Sequence, residues 1–176
     1  MTGRLHQVHV EFAPAEDRIL LKFNTVNREE LRFWLTRKFV KSFWDALQKW
    51  LVDSGTAAAQ RDPALKKAMV ELDQERAAPA ERFSHAFAVK PDSFPLGEAP
   101  LLVTGFSFSA TARAGRVGRI AFETASGHEV ALPADTTLLH SLSKMLLAIN
   151  AKTGWDLALS PGYVLGETPA RPARVH

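Results

Sequence analysis

The sequence predicts an α+β protein made of two antiparallel β-meanders, each followed by a helix, with a connecting helix between the halves. Apolar residues alternate with polar ones over residues 8–35, which is the period of half-buried strands. From Thr36 they recur every three or four residues, which is the period of a helix. The same change of period returns 99 residues later, at Asp135. We therefore expect the halves to be related by approximate internal two-fold symmetry.

The first half, residues 1–55, contains a meander and an aromatic helix. Its three strands are predicted over residues 8–12, 19–23 and 31–35. The helix is predicted over residues 36–52, because the Thr36 hydroxyl can accept a hydrogen bond from a free backbone N–H at the helix start. Its apolar stripe should be buried against the sheet.

Residues 56–98 are predicted to connect the halves, with a helix that begins near Asp62 and a Pro-rich turn at their end. The second half, residues 99–155, repeats a meander and a helix, here capped by Asp135. Its strands are predicted over residues 102–112, 117–124 and 129–132. Residues 156–176 have no apolar periodicity, so they are predicted to form an extended tail to one compact domain.

The halves also match in sequence when residues 23–47 are laid on residues 122–146. Five positions are identical at this offset: Phe23/Phe122, Thr25/Thr124, Glu30/Glu129, Ser42/Ser141 and Leu47/Leu146. Further positions agree in apolar class, and the two predicted caps, Thr36 and Asp135, coincide. This agreement predicts an internal repeat.

The composition excludes several classes of protein. The 176 residues include no Cys, so disulfides, thiolate nucleophiles and Cys-ligated zinc are excluded. With 46% hydrophobic and 23% charged residues, the chain has the composition of a globular protein. No apolar run approaches the ~18 residues that span a membrane, and the first ten residues lack the apolar region of a secretory signal. A cytoplasmic location without membrane association is predicted.

No motif in the sequence predicts an enzyme. The six His show no metal-ligand spacing, and no Ser-nucleophile or phosphate-loop pattern occurs. Glu30 and Glu129 occupy matching positions in the two halves, and in many enzymes a pair of carboxylates acts as the catalytic acid and base. However, each begins a predicted strand, where a polar residue is structurally convenient. We predict a non-enzymatic protein with no cofactor and no metal site, and the sequence leads us to infer no small-molecule ligand.

The outer face of the first meander carries the main candidate for a binding surface. Trp34 has the opposite parity to its apolar neighbours in the third strand, so it should project outward beside Arg32 and Lys22. An aromatic side chain among basic ones is the layout that stacks the bases of single-stranded nucleic acid. The alternative is that the other half, the connecting helix or a second subunit covers this face.

Two basic concentrations occur in the chain, over residues 32–41 and over residues 113–119, and such runs are typical of solvated surface. The formal net charge is +3, which is only mildly basic. If nucleic acid binds, the predicted binding residues are Lys22, Arg32, Trp34, Arg113, Arg116 and Arg119.

The run Glu30-Leu-Arg-Phe-Trp-Leu-Thr-Arg37, between a hairpin and an aromatic helix, resembles a small family of uncharacterised proteobacterial proteins. This resemblance covers roughly residues 1–50 and implies a cytoplasmic bacterial protein without catalytic residues. The order of strands and helices is also similar to the whirly and positive-cofactor-4-like folds that bind single-stranded DNA. We predict a binding or interaction module that forms homo-oligomers, and the alternative is a single-stranded nucleic-acid-binding protein.

Overall fold

The protein has an α+β fold, as its sequence predicts. The computed structural model describes residues 4–54, 62, 64, 65, 68, 69, 72, 90–110 and 117–159. Their strands and long helices are β1 (Leu5–Ala13), β2 (Arg18–Thr25), β3 (Glu30–Leu35), α1 (Arg37–Ser54), β4 (Leu101–Ala110), β5 (Val117–Thr124), β6 (Glu129–Pro133) and α2 (Thr136–Thr153). Each of these strands overlaps a segment in which the alternating pattern predicts one.

The six strands form one sheet in which their order follows the chain, from β1 to β6. Each meander is antiparallel, and the two meanders join where β3 pairs in parallel with β4, with Phe33 opposite Leu101. Equivalent strands of the two meanders therefore run in the same direction. A crossover through α1 makes this parallel pairing possible, because parallel strands cannot be joined by a tight turn.

Both helices pack on the same face of the sheet, which we call the inner face. The alternating apolar residues of the two meanders point there and form one core with the helices. Its centre is aromatic: Phe23, Phe33 and Phe122 are fully buried and contact one another at ring-centroid distances of 5.4 to 6.4 Å. Burial of this apolar surface is the main stabilising contribution to the fold.

Each helix packs over the first strand of the other half. In α1, the Phe43 ring lies 5.2 Å from the Phe106 ring of β4, edge to face. In turn, α2 contacts β1. The helices also touch each other in the interior, where Gln48 Nε2 donates a hydrogen bond to Ser143 Oγ at 3.0 Å. Neither meander is covered by its own helix alone, so the halves share their core.

The predicted helix caps are confirmed. The Thr36 hydroxyl accepts from the backbone N–H of Phe39 at 3.2 Å, and the Asp135 carboxylate accepts from Leu138 at 2.8 Å. Gly154 ends α2 in the left-handed conformation, with φ of 65°, which glycine adopts without a steric penalty. None of the helices in the described ranges is long and apolar enough to cross a membrane.

The turns β2–β3 and β5–β6 are built alike. The backbone N–H of Thr25 donates to the carbonyl of Glu29 at 3.0 Å, and that of Thr124 donates to His128 at 2.9 Å. In each turn the threonine hydroxyl accepts from the backbone N–H of the same partner, at 3.3 and 3.2 Å. One residue of each turn adopts the left-handed backbone conformation: Arg28 (φ 59°) in the β2–β3 turn and Gly127 (φ 80°) in the β5–β6 turn.

The chain packs on the core at Trp155 and on into the start of the predicted tail, residues 156–159. Trp155 is buried, its ring lies edge to face with Phe12 at 5.7 Å, and its Nε1 donates to Asp17 Oδ1 at 2.6 Å. Leu157 and Leu159 also pack against the core. The rest of the predicted tail lies outside the described residues.

Most of the predicted connector also lies outside the described residues. Of its predicted features, Asp62 and the Pro-rich turn are described. The Asp62 carboxylate accepts from the backbone N–H of Ala64 at 2.9 Å, as a helix cap does. Residues 91–100 run beside β3, where the backbone N–H of Glu30 donates to the Ser93 carbonyl at 3.0 Å. This segment leads directly into β4.

Candidate binding groove

Three of the predicted binding residues lie together on the outer face of the sheet, opposite the helices. Lys22 pairs with Arg32 across β2 and β3, and Trp34 lies between Leu20 and Leu102 of the neighbouring strands. Trp34 is half-buried and Leu20 is buried. These side chains therefore lie on the face that their parity along the strands predicts, but Trp34 is not fully open to solvent.

The two basic residues beside Trp34 already contact other groups of the protein. Arg32 Nε donates to Glu30 Oε1 at 2.5 Å, and its Nη1 donates to the carbonyl of Glu98 at 2.9 Å. The guanidinium also lies 4.4 Å from the centre of the Phe94 ring, which is a cation–π geometry. Lys22 Nζ donates to Glu11 Oε2 at 3.4 Å. These contacts reduce the positive charge that this face can offer to a phosphate.

The predicted turn arginines do not add to this surface in the described structure. Arg113 and Arg116 lie outside the described residues. Arg119 is exposed on β5, opposite Ser109 of β4. Because Leu102 is the residue of β4 that lies beside Trp34, Ser109 is about 23 Å further along the strand at 3.3 Å per residue. Arg119 therefore belongs to a different end of the sheet.

Glu30 and Glu129 are also far apart. They lie on β3 and β6, which are separated by two strands in the sheet, so at least about 14 Å divides them. Glu30 is buried against Arg32, whereas Glu129 is exposed. The two carboxylates share no site in which one could act as acid and the other as base.

A groove of about 620 Å³ lies between the first turns of α1 and the segment that follows α2. Arg37, Lys38, Lys41 and Asp45 of α1 form one wall, and residues 156–159 form the other. We call it the basic groove. Asn150 Nδ2 holds the second wall by donating to the Leu157 carbonyl at 2.9 Å, and the burial of Trp155 fixes the chain just before it.

The basic groove concentrates positive charge. Arg37, Lys38 and Lys41 are exposed, and no ion pair or hydrogen bond of their side chains occurs within the described residues. They lie at the start of α1, where the helix dipole and free backbone N–H groups add partial positive charge. The first turn of α1 contains no acidic residue that would offset this charge. A negatively charged group would be stabilised here.

The sequence predicts only part of the basic groove. The concentration over residues 32–41 is predicted as ordinary solvated surface, and Arg32 in fact belongs to a different face from the other three. The sequence does not predict the second wall, because residues 156–159 belong to the segment predicted as an extended tail. The alternation of Trp155, Leu157 and Leu159 was the available signal that this segment packs against the protein.

No group of three or more His, Asp or Glu side chains that could hold a metal ion occurs among the residues described. Searches against known protein families, curated proteins and solved structures find no match to this chain.

Proposed function

We propose that this protein is a non-enzymatic binding module that captures an acidic peptide segment of a partner protein in the basic groove. The observation that carries this proposal is the set of three cations, Arg37, Lys38 and Lys41, which line one cavity without an ion pair in the described structure. Like charges held together at the positive end of a helix repel one another, and this repulsion destabilises the protein without a ligand. A bound carboxylate would remove that cost.

The second half of the chain indicates that the fold does not need these cations. The positions of α2 that lie 99 residues after Arg37, Lys38 and Lys41 are Thr136, Thr137 and His140. Helix α2 nevertheless has the same length as α1 and a confirmed cap. The three charges are therefore better explained by binding than by architecture.

The other residues of the groove favour a peptide over a nucleic acid. Asp45 and Asp156 also line it, so the formal net charge of its lining is only +1, which suits one or two carboxylates better than a run of phosphates. Leu157 and Leu159 supply apolar surface beside the charges. A peptide that carries both acidic and apolar side chains can satisfy both features, with carboxylates on the lysines and apolar groups on the leucines.

The test is a fluorescence titration with labelled peptides of alternating Glu and Leu, alternating Lys and Leu, and with a labelled single-stranded oligonucleotide. We expect the acidic peptide to bind and the basic peptide not to bind. Replacing Lys38 and Lys41 together by Glu should weaken the acidic peptide at least tenfold, since each reversed surface charge contributes up to ~1 kcal/mol. Lys49→Glu, on the same helix but outside the groove, is the matched control.

Two results would count against the proposal. One is equal affinity of the Lys38/Lys41 variant and the Lys49 variant for the acidic peptide. The other is steeply salt-dependent binding of the oligonucleotide in preference to the peptide, which would favour the alternative function, a single-stranded nucleic-acid-binding protein. Including Trp34→Ala in the oligonucleotide titration tests the outer face separately.

Self-association is a further part of the proposal. Strands β1 and β6 are at the two ends of the strand order and pair on one side only among the described strands. An unpaired edge can add a strand from a second copy, and β1 has nine residues available for this. Light scattering at increasing protein concentration should show a dimer or larger oligomer. A monomer at every concentration would remove this part of the proposal.

We also infer that the two halves are copies of one structural unit. The support is that β2 and α1 each start and end 99 residues before β5 and α2, and that the two meander turns share their hydrogen bonds. Because equivalent strands run in the same direction, an approximate two-fold axis between the halves would lie along the strands. In this proposal, the basic groove is a specialisation of the first copy.

A further inference from the structure

The basic groove has an ordered pattern of charge along its α1 wall. Arg37, Lys38 and Lys41 come first, and Asp45 follows about one turn after Lys41. At 1.5 Å per residue, Arg37, Lys41 and Asp45 follow one another at intervals of about 6 Å along the helix axis. A ligand that lies along this wall therefore meets positive charge first and negative charge next.

The charged side chains of this wall are accessible to a ligand. All of them are exposed, and no ion pair between Lys41 and Asp45 occurs among the described residues, although the two are one helical turn apart. A lysine that precedes an acidic residue by four positions has the less favourable order for a helical ion pair. Opposite charges therefore lie near each other in the groove and are available to a partner.

The second wall of the groove adds apolar surface and a further carboxylate. Leu157 and Leu159 are half-buried and line the groove, and Asp156 is the only charged residue of this wall. Because the formal net charge of the whole lining is +1, a ligand with a net charge of −1 matches it. Complementary charge of this kind gives an interface its specificity more than its affinity.

Helix α2 indicates that the fold does not require the carboxylate of Asp45. Helices α1 and α2 both have 18 residues, and each end of α2 lies 99 positions after the same end of α1. The residue that lies 99 positions after Asp45 is Lys144. Because the second helix has the opposite charge at this position, the carboxylate of Asp45 is better explained by what the groove binds.

We propose that the basic groove selects a partner's peptide segment by the order of its charges, with acidic side chains over Arg37 and Lys41 and then a basic side chain over Asp45. This inference rests on the proposed function of the groove and names the pattern of its partner. In an extended chain every second side chain points to the same side, at a spacing of about 6.6 Å, which is close to the intervals along α1. The segment therefore alternates acidic, apolar, acidic, apolar and basic residues, with its apolar side chains on Leu157 and Leu159.

The test is a fluorescence titration of the full chain with three labelled peptides that have uncharged ends. Their sequences are Glu-Leu-Glu-Leu-Lys, the composition-matched Glu-Leu-Lys-Leu-Glu, and Glu-Leu-Glu-Leu-Glu. We expect the first peptide to bind about fivefold more tightly than either of the others, because it alone places a lysine over Asp45 and glutamates over the cations, and an exposed charge pair changes affinity by up to about this factor.

Two variants complete the design. Asp45→Lys should reverse the preference, so that Glu-Leu-Glu-Leu-Glu binds about fivefold more tightly than Glu-Leu-Glu-Leu-Lys. Glu129→Lys makes the same change of net charge at an exposed position of β6 outside the groove, and it should leave the preference of the wild-type protein unchanged. The inference is overturned, while the proposed function stands, if Glu-Leu-Glu-Leu-Lys is not the tightest ligand of the wild-type protein or if Asp45→Lys does not change the preference. If none of the three peptides binds, the proposed function fails as well.

Discussion

Glu30 and Arg32 form the ion pair on which the outer face of β3 depends. The Glu30 side chain is 2% exposed and that of Arg32 is 28% exposed, so the carboxylate is almost fully removed from water. Arg32 also binds the Glu98 carbonyl and the Phe94 ring, which fastens residues 94–98 to the sheet. Burying a charge is tolerable only with a partner of this kind.

Arg32→Ala should therefore destabilise the protein by ~3–5 kcal/mol, because it leaves the Glu30 carboxylate buried without a partner. Urea titration measures the change in the free energy of unfolding. Adding Glu30→Leu to this variant should recover most of the loss, since a matched apolar pair avoids the buried charge. A loss below ~1 kcal/mol for Arg32→Ala would show that the pair behaves as an ordinary surface salt bridge.

The side chain of Asp135 caps the first turn of helix α2. The Asp135 carboxylate accepts the backbone N–H of Leu138 at 2.8 Å and places a negative charge at the positive end of the helix dipole. The helix itself is well buried along the face that contains Leu138, Leu139 and Leu142. The cap matters because this face packs correctly only when the first turn is formed.

We expect Asp135→Ala to lower the free energy of unfolding by ~1 kcal/mol, as the loss of a helix cap typically does. Asp135→Asn keeps the accepting oxygen and should recover most of the stability. Asp45→Ala, an exposed carboxylate on α1 outside any cap, is the control and should change stability by less than ~0.5 kcal/mol. Equal losses for the Asp135→Ala and Asp45→Ala variants in urea would contradict the capping role.

The two halves of the molecule pack against each other through both long helices. Helix α1 packs on β4 and α2 packs on β1, and the chain after α2 returns to the first hairpin through Trp155. The hydrogen bond from Trp155 to Asp17 joins residues that are 138 positions apart in the sequence. Contacts of this kind make the stability of each half depend on the other.

Trp155→Ala should cost ~3–5 kcal/mol, because the ring is buried and packs edge to face with Phe12. Trp155→Phe keeps an aromatic ring but loses the N–H, so it should cost ~1 kcal/mol. A double-mutant cycle of Trp155→Phe with Asp17→Ala should give a coupling of at least ~0.5 kcal/mol. Additive losses in thermal and urea unfolding would mean that this hydrogen bond does not tie the halves together.

Most of the local structure of this protein follows from short-range patterns in its sequence. Period-2 and helical spacing placed the six strands and two long helices, and Thr36 and Asp135 were recognisable as caps, because these features depend on neighbours within a few residues. The parity of Trp34 also placed it correctly on the outer face, since side chains alternate along any strand.

How these elements combine depends instead on long-range contacts. The parallel pairing of β3 with β4, the packing of each helix on the other half and the partner of Arg32 all join distant residues. The same is true of the basic groove, in which the start of α1 meets residues 156–159. Local periodicity carries no information about such contacts, because they depend on how much apolar surface each arrangement of the whole chain buries.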